Sequence, residues 1–272
     1  MSPRETLEAT APVVALQDPE VREQLVRRLR QTLVGIAEGG LGDAVEPGDT
    51  VEPGEPATGR RAVGNYSRPG EFVKASLDRV LAAVGVVAVS PLLAVIAVAV
   101  GLDSPGPVFF RQTRIGRGGR PFTFWKFRGM HDDANTRYPE LYDYRYSAEE
   151  LQDLRFHPGE DPRVTRVGRF IRRTSLDELP NLLNVLFGDM SLVGPRPEIP
   201  ELLPYYGGAA ESVLSVKPGI TSLAKLIGRD HLTFQETLEL DLRYVRERSL
   251  AMDLRILFGT VWMVTTGRSV GN

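Results

Sequence analysis

From Val80 to Leu102 the chain runs 23 residues without a charged side chain. As a straight helix that stretch would measure about 35 Å, enough to cross a bilayer. A membrane-embedded segment is therefore favoured over a buried core helix. Arg60, Arg61, Arg68, Lys74 and Arg79 precede the run, and Arg111, Arg114, Arg117 and Arg120 follow it. Positive charge marks the cytoplasmic side of a membrane segment, so both flanks ask for the same side and a single crossing satisfies only one. Ser90-Pro91 sits at the middle. Proline removes a helical N–H and clashes with the preceding turn, while the serine hydroxyl can bond a freed carbonyl. The segment is thus expected to break there and return within one leaflet. A kinked helix that crosses once is the competing reading, and the charge argument favours the re-entrant form.

Composition alone would not reveal this, since 42% hydrophobic and 25% charged residues suit an ordinary globular protein. The absence of cysteine excludes disulfides, thiolate nucleophiles and zinc-thiolate sites. His131, His157 and His231 have no close spacing, so a histidine-built metal centre is not expected. The net charge of −2 conceals an uneven distribution. Residues 1–70 carry 8 arginines and 11 carboxylates, whereas residues 105–173 carry 14 Lys/Arg and 9 carboxylates. The basic part is the expected meeting place for phosphate or anionic lipid.

Residues 18–38 read as an amphipathic docking helix, with Val21, Leu25, Leu29, Leu33 and Ile36 near helical period. Residues 39–70 hold 12 glycines and prolines and read as a linker. Nothing after Met1 resembles a cleaved signal peptide. Beyond the apolar run, 108–115 and 121–128 are two aromatic-rich strands around Gly116-Arg-Gly-Gly119, a predicted β-hairpin. Those glycines have the wrong spacing for a dinucleotide fingerprint. Alternation puts Phe122, Phe124, Lys126 and Arg128 on one strand face, where the two cations can meet a phosphate or simply be solvated. Residues 180–188, 198–206 and 231–246 read as helices, and Ser191 to Pro197 as a stiff loop. The apolar stretch 254–264 is too short to span, and can pack on the core or lie in the interface.

Two adjacent carboxylates, Asp177 and Glu178, follow a run in which Arg163, Arg166, Arg169 and Arg172 recur every third residue. Ser175-Leu-Asp-Glu178 also matches a helix capping box, a structural explanation for Glu178. Pro180 weakens it by favouring a helix that starts after the pair, which would leave both carboxylates at a positive helix N-terminus. Arg173 could be a plain ion-pair partner of Asp177. A carboxylate kept ionised by cations can serve as nucleophile or metal ligand. Hard oxygen ligands beside phosphates point to Mg2+, with Mn2+ as a substitute, rather than zinc.

With these residues in view the chain resembles the bacterial sugar transferases, monotopic polyprenyl-phosphate phosphoglycosyl transferases. The resemblance spans roughly residues 70–266 and rests on Ser90-Pro91, Asp103 to Gly116, Lys126-Phe-Arg-Gly-Met130, Asp161 to Arg166, Arg172 to Pro180, Gly188 to Pro197 and Lys217-Pro-Gly-Ile-Thr221. It implies an α+β, mainly helical fold with three parts. These are an N-terminal helix and linker (1–70), a re-entrant membrane helix broken at Ser90-Pro91 (71–104) and a compact cytoplasmic catalytic domain with interfacial helices (105–272). The implied reaction moves a sugar-1-phosphate from a nucleotide diphosphate sugar to undecaprenyl phosphate at the bacterial inner membrane, through an aspartyl intermediate. That step would initiate exopolysaccharide or other surface glycan assembly.

By the same resemblance Asp177 is the nucleophile, Glu178 a catalytic partner and magnesium ligand with Asp177 beside it, and Lys126, Arg172 and Arg196 face substrate phosphates. Arg128, from the strand alternation, and Arg163, from the arginine run, join them as candidate phosphate contacts. Inner-membrane lipid, glycan-assembly proteins and a second copy of the chain are the expected partners, and nucleic acid is not. Two positions depart from the family pattern: Gly129 stands where Ser or Thr is usual, and Thr221-Ser-Leu-Ala-Lys225 replaces the commoner Thr-Gly-Trp-Ala-Gln. Residues 1–70 hold no four-helix membrane domain of the kind larger members carry, and read as a regulatory or assembly appendage. The competing reading of the whole chain is a non-catalytic membrane scaffold that recruits glycan-assembly partners.

Overall fold

The structure is a computed structural model that describes residues 66–147, 150–151, 154, 161–228 and 232–266. The predicted amphipathic helix over 18–38 lies outside them, as does the linker up to residue 65 and two of the three histidines. The last residues assigned to that linker already belong to helix α1 (Arg68–Asp103). Ser67 Oγ accepts from Gly70 N at 3.3 Å and Pro69 occupies the first turn, where a missing N–H costs no hydrogen bond.

Helix α1 runs as one element with Pro91 inside it, so the expected division at Ser90-Pro91 into two helices is not observed. The physical reason is local. A proline at 91 leaves the carbonyl of Val87 without its helical donor, and Ser90 Oγ donates to that carbonyl at 2.8 Å. The serine thus fills the vacancy the proline creates, and the helix continues.

One face of α1 packs on the rest of the protein: Lys74, Asp78, Ala82, Ile96 and Val100 are buried. The opposite face exposes Val80, Val84, Val87, Val95, Val98 and Leu102, an apolar strip without a partner among the described residues. Only 11% of the most apolar window is buried. Both ends are tied down. Lys74 Nζ lies 2.6 Å from Asp253 Oδ2, and Ser191 Oγ donates to Asp78 Oδ2 at 2.6 Å. At the far end Val167 N donates to Asp103 Oδ2 at 2.9 Å.

The predicted hairpin forms from β1 (Phe109–Ile115) and β2 (Pro121–Phe127), antiparallel from Phe109↔Phe127 to Ile115↔Pro121. Phe109 stacks on Phe127 at 5.2 Å and meets Trp125 edge-on at 6.4 Å. Phe127 then joins Ile96 and Val100 of α1 and Ile171 of α2 (Arg166–Arg173) in a core cluster. Gly168 allows that approach, because a Cβ on it would lie 2.0 Å from the carbonyl oxygen of Gly129.

A 3₁₀ helix over Leu176–Asn181 follows, then α3 (Leu182–Phe187), ended by Gly188 in the left-handed region at φ 95°. The stiff loop expected over 191–197 begins as a strand. β3 (Ser191–Val193) pairs in parallel with β4 (Gly219–Thr221). The helix expected over 198–206 forms as a 3₁₀ helix over Pro200–Tyr206.

The C-terminal part comprises α4 (Leu223–Ile227), α5 (Phe234–Glu247) and α6 (Leu250–Thr266). Helix α5 opens with a full capping box between Thr233 and Glu236. Helix α6 buries Asp253, Ile256 and Met263 and exposes Leu254, Phe258, Val261 and Trp262. The architecture among the described residues is mostly helical, with one two-stranded antiparallel hairpin and one two-stranded parallel pair.

Candidate active site

Asp177 and Glu178 owe their position to a backbone reversal. Helix α2 ends at Arg173, and Ser175 takes a left-handed conformation at φ 57°, which an L-residue adopts only at a cost. The turn starts the 3₁₀ helix Leu176–Asn181. With three residues per turn, Leu176 and Leu179 fall together and pack on the Ile96, Val100, Phe127 and Ile171 cluster. The intervening Asp177 and Glu178 are directed into a cavity of about 170 Å³.

The capping box offered as a structural explanation for Glu178 is absent, since the Ser175 side chain makes no cap hydrogen bond, and the helix expected to start at Pro180 instead has Pro180 inside it. The carboxylates therefore stand in the first turn of a helix, not ahead of one. Two asparagines fix this unit to the hairpin. Asn181 Oδ1 accepts from Trp125 N at 3.2 Å, and Asn184 Nδ2 donates to the carbonyl of Thr123 at 2.8 Å.

The cavity is lined by five cations, Arg114, Arg172, Arg173, Arg196 and Lys225, against the two carboxylates. Lys225 reaches in from α4, and its Nζ donates to Glu178 Oε2 at 2.5 Å and to the carbonyl of Ile220 at 3.3 Å. Arg114 is buried on β1 and reaches Glu198 Oε1 at 3.2 Å and the carbonyl of Pro197 at 3.1 Å. It thereby steadies the loop that carries Arg196. Asp241 Oδ2 accepts from Arg196 N at 3.3 Å from the other side.

The two carboxyls are pushed apart. Burial raises Asp177 above the ordinary carboxylate range and the neighbouring Glu178 charge raises it further, against Lys126, Lys225 and Arg172. Burial also acts to raise Glu178, but Lys225, Arg196 and Lys126 outweigh it, and Glu178 is held below its usual value. Surrounding cations thus hold Glu178 below the ordinary carboxylate range, while at Asp177 they offset only part of the rise. Lys126 is brought down to about 8 by burial, opposed by the attraction of Asp177.

The structure brings some of the predicted contacts together and places others elsewhere. Arg172 and Arg196 line the cavity with Asp177 and Glu178. Lys126 is close enough to influence both carboxylates electrostatically, though it does not line the cavity and its Nζ sits over the Phe110 ring at 5.2 Å. Arg128 is not at the site. Its guanidinium donates to the carbonyls of Ser104 at 2.6 Å and Pro105 at 2.9 Å, closing the C-terminal end of α1 where helix carbonyls lack partners. Arg163 is also elsewhere, held by Asp161 at 2.8 Å and stacked over Tyr142.

Arg114 and Lys225 were not among the expected contacts, and Arg173, which lines the same cavity as Asp177, was considered only as its ion-pair partner. For Lys225 a signal existed, since it is a charged residue at one of the two positions that depart from the family pattern.

Among the described residues no group of three or more His, Asp or Glu side chains could hold a metal unaided. Two adjacent carboxylates within a cation-rich cavity do fit a magnesium ion shared with substrate phosphates, because magnesium is commonly held by one or two carboxylates plus phosphate oxygens. They do not fit a self-contained protein cage.

Comparison with known proteins identifies the family. A family model described as bacterial sugar transferase matches residues 69–267. The chain is 43% identical over 199 residues to the UDP-glucose:undecaprenyl-phosphate glucose-1-phosphate transferase of Escherichia coli K12, covering 70% of this chain and 40% of that protein. It is 43% identical over 163 residues to galactosyl transferase CpsE of Streptococcus agalactiae, covering 60% and 35%. The exopolysaccharide production protein ExoY of Sinorhizobium fredii is 37% identical over 199 residues, covering 73% of this chain and 88% of that one. Against the first two, this chain matches well under half of the relative's length.

Proposed function

The chain belongs to the bacterial sugar transferase family, and from that premise we propose that it transfers a sugar-1-phosphate from a nucleotide diphosphate sugar to undecaprenyl phosphate. The observation that carries the reading is the convergence of Asp177 and Glu178 with Arg172, Arg196 and Lys225 in one cavity. A diphosphate donor and a phosphate acceptor repel each other, and a cation-lined cavity offsets that repulsion. The names of the E. coli relative and ExoY support the acceptor and a part in exopolysaccharide production; we place the transfer at the start of that synthesis. A scaffold without catalysis does not call for two adjacent carboxylates facing one cation-lined cavity.

In the proposed reaction Asp177, ionised, attacks the sugar-linked phosphorus. The bond from that phosphorus to the bridging oxygen breaks, the nucleoside monophosphate leaves with the electron pair, and the sugar phosphate remains on the Asp177 carboxylate. A phosphate oxygen of the lipid then attacks the same phosphorus and releases Asp177. Splitting the transfer keeps the lipid phosphate from meeting the full diphosphate charge. Arg172 and Arg196 hold phosphate oxygens and Lys126 stabilises the Asp177 anion. Glu178, with Asp177 beside it, would hold a magnesium ion, which supplies charge neutralisation at the phosphates when bound.

The membrane reading follows from α1. Its apolar strip lies in one leaflet while both ends stay with the cytoplasmic domain. The contacts of Lys74 with Asp253 and of Val167 with Asp103 support this, because one body holds both ends of the helix. The exposed face of α6 is the companion interfacial surface, with Trp262 at the headgroup level.

The deciding experiment incubates the full chain with sugar-labelled nucleotide donors and no lipid. A sugar phosphate on Asp177, found by mass spectrometry together with released nucleoside monophosphate, is the expected result. No adduct, with intersecting rather than parallel initial-rate lines, would demote Asp177 to electrostatic support.

A further inference from the structure

A second cavity, of about 220 Å³, lies beside the first turns of α1 and shares no lining residue with the active-site cavity. Five cations face it, Lys74, Arg79, Arg117, Lys217 and Arg248, against two carboxylates, Glu71 and Asp78. Both carboxylates are already engaged. Asp78 accepts from Ser191 and lies 3.4 Å from Lys74, and Glu71 contacts Arg248 and, at 4.0 Å, Arg117. Lys74 is further matched by Asp253.

Arg79 and Lys217 remain. Both crowd the same point at the end of α3: a Cβ placed on Gly188 would lie 2.8 Å from Arg79 Nη2 and 3.6 Å from Lys217 Nζ. Among the described residues neither head forms an ion pair with a carboxylate. Burial and the charges of Arg79 and Arg117 lower Lys217, while Asp78 and the exposed Asp189 oppose them more weakly. Arg79 is exposed and Lys217 half-buried, and two like charges held this close carry an electrostatic cost that a bound anion removes.

The surroundings identify the anion. Arg79 is the last charge before the apolar run, and Val80 beside it is 60% exposed. Phe187, next to Gly188, is 72% exposed, and Phe72 at the cavity wall is 75% exposed. A free phosphate gains nothing from these side chains. A phosphodiester carrying acyl chains gains from both halves of the site.

We propose that the cavity between Arg79 and Lys217 binds the headgroup phosphate of an anionic phospholipid of the surrounding membrane, apart from the catalytic pocket. The proposal rests on α1 lying at the membrane and is independent of the Asp177 chemistry.

The test uses the full chain, stripped of lipid in detergent, with phosphatidylglycerol, phosphatidylcholine of the same acyl chains, or glycerol phosphate added separately. Bound lipid is counted by native mass spectrometry, and melting temperature is followed in parallel. Phosphatidylglycerol should be retained at least about tenfold more strongly than phosphatidylcholine, in line with two cations each contributing near the membrane surface. The double variant Arg79→Gln/Lys217→Gln should lose that preference, and Arg196→Gln in the catalytic pocket should keep it. Should the double variant misfold, Lys217→Gln alone is expected to cut the preference several-fold. Equal retention of the two lipids, or full preference in the lysine variant, overturns the proposal. Stabilisation by glycerol phosphate equal to that by phosphatidylglycerol overturns the lipid assignment.

Discussion

Lys225 Nζ lies 2.5 Å from Glu178 Oε2, with both side chains mostly buried, so an ammonium already sits on the carboxylate proposed to hold magnesium. The pair explains why Glu178 is held below the usual carboxylate value although burial alone would raise it. It also puts Lys225 in competition with any metal for the same oxygen.

Lys225→Gln should therefore lower the magnesium concentration needed for half-maximal rate. Removing one partner from a pair this buried should also cost about 1–3 kcal/mol of stability. The sign with pH is fixed. Glu178 has a depressed pKa in the folded state, so its contribution is present above the unfolded carboxylate value and lost as pH falls through the folded one. The destabilisation by Lys225→Gln should be full at neutral pH and shrink in acid, which denaturant melts across that range would measure.

Arg128 and Arg163 offer a separation between support and chemistry. Arg128→Gln removes the donors that close the end of α1 at Ser104 and Pro105. It should cost about 2 kcal/mol in stability, with the KM for the nucleotide sugar nearly unchanged. Arg163→Gln should likewise leave KM alone. Arg172→Gln and Arg196→Gln, whose side chains line the cavity, should lower kcat/KM by tenfold or more, on the order of 1.4 kcal/mol each. A KM effect from Arg128→Gln larger than that from Arg196→Gln would contradict the placement.

These contrasts also show what the sequence could and could not disclose. The hairpin was legible because β-branched and aromatic runs around a glycine turn leave few alternatives, and the observed strands fall within a residue of the expected ones. Ser90 was legible in its chemistry, since it bonds the carbonyl that Pro91 frees, but not in its consequence, because whether a helix then breaks depends on packing along its whole length. Arg128 and Lys126 alternate on one strand and look equivalent there. Only the three-dimensional course of α1 takes one of them to a helix end and leaves the other near Asp177. The parallel β3 and β4 pair joins three-residue segments about 28 residues apart, too short for periodicity to register. The turn at Ser175 was hidden for a related reason: Ser175-Leu-Asp-Glu178 carries only local signals, whereas the left-handed turn goes with packing of Leu176 and Leu179 on the core cluster.

That turn is testable by itself. Ser175→Gly relieves the left-handed strain and should stabilise the fold or leave it unchanged, by up to about 1 kcal/mol. Ser175→Val, β-branched at φ 57°, should destabilise it by more than that and lower activity by shifting Asp177 and Glu178. Thermal melts and adduct formation on the two variants would measure both effects.

The last expectation concerns the pH dependence of the first half-reaction. Asp177 must be ionised to attack, and burial with the adjacent Glu178 charge raises its pKa. Its nucleophilic form should therefore be lost as pH falls through a range above that of an ordinary carboxylate. Lys126, lowered to about 8, loses its proton as pH rises past that value and takes with it a charge that favours the Asp177 anion. Adduct formation without lipid should consequently follow a bell, with an acid limb set by Asp177 and an alkaline limb near 8 set by Lys126. Lys126→Arg keeps its charge at any accessible pH and should flatten the alkaline limb while leaving the acid limb in place. Single-turnover rates with labelled donor across the pH range would report both limbs, and an alkaline limb that survives Lys126→Arg would assign it to another group.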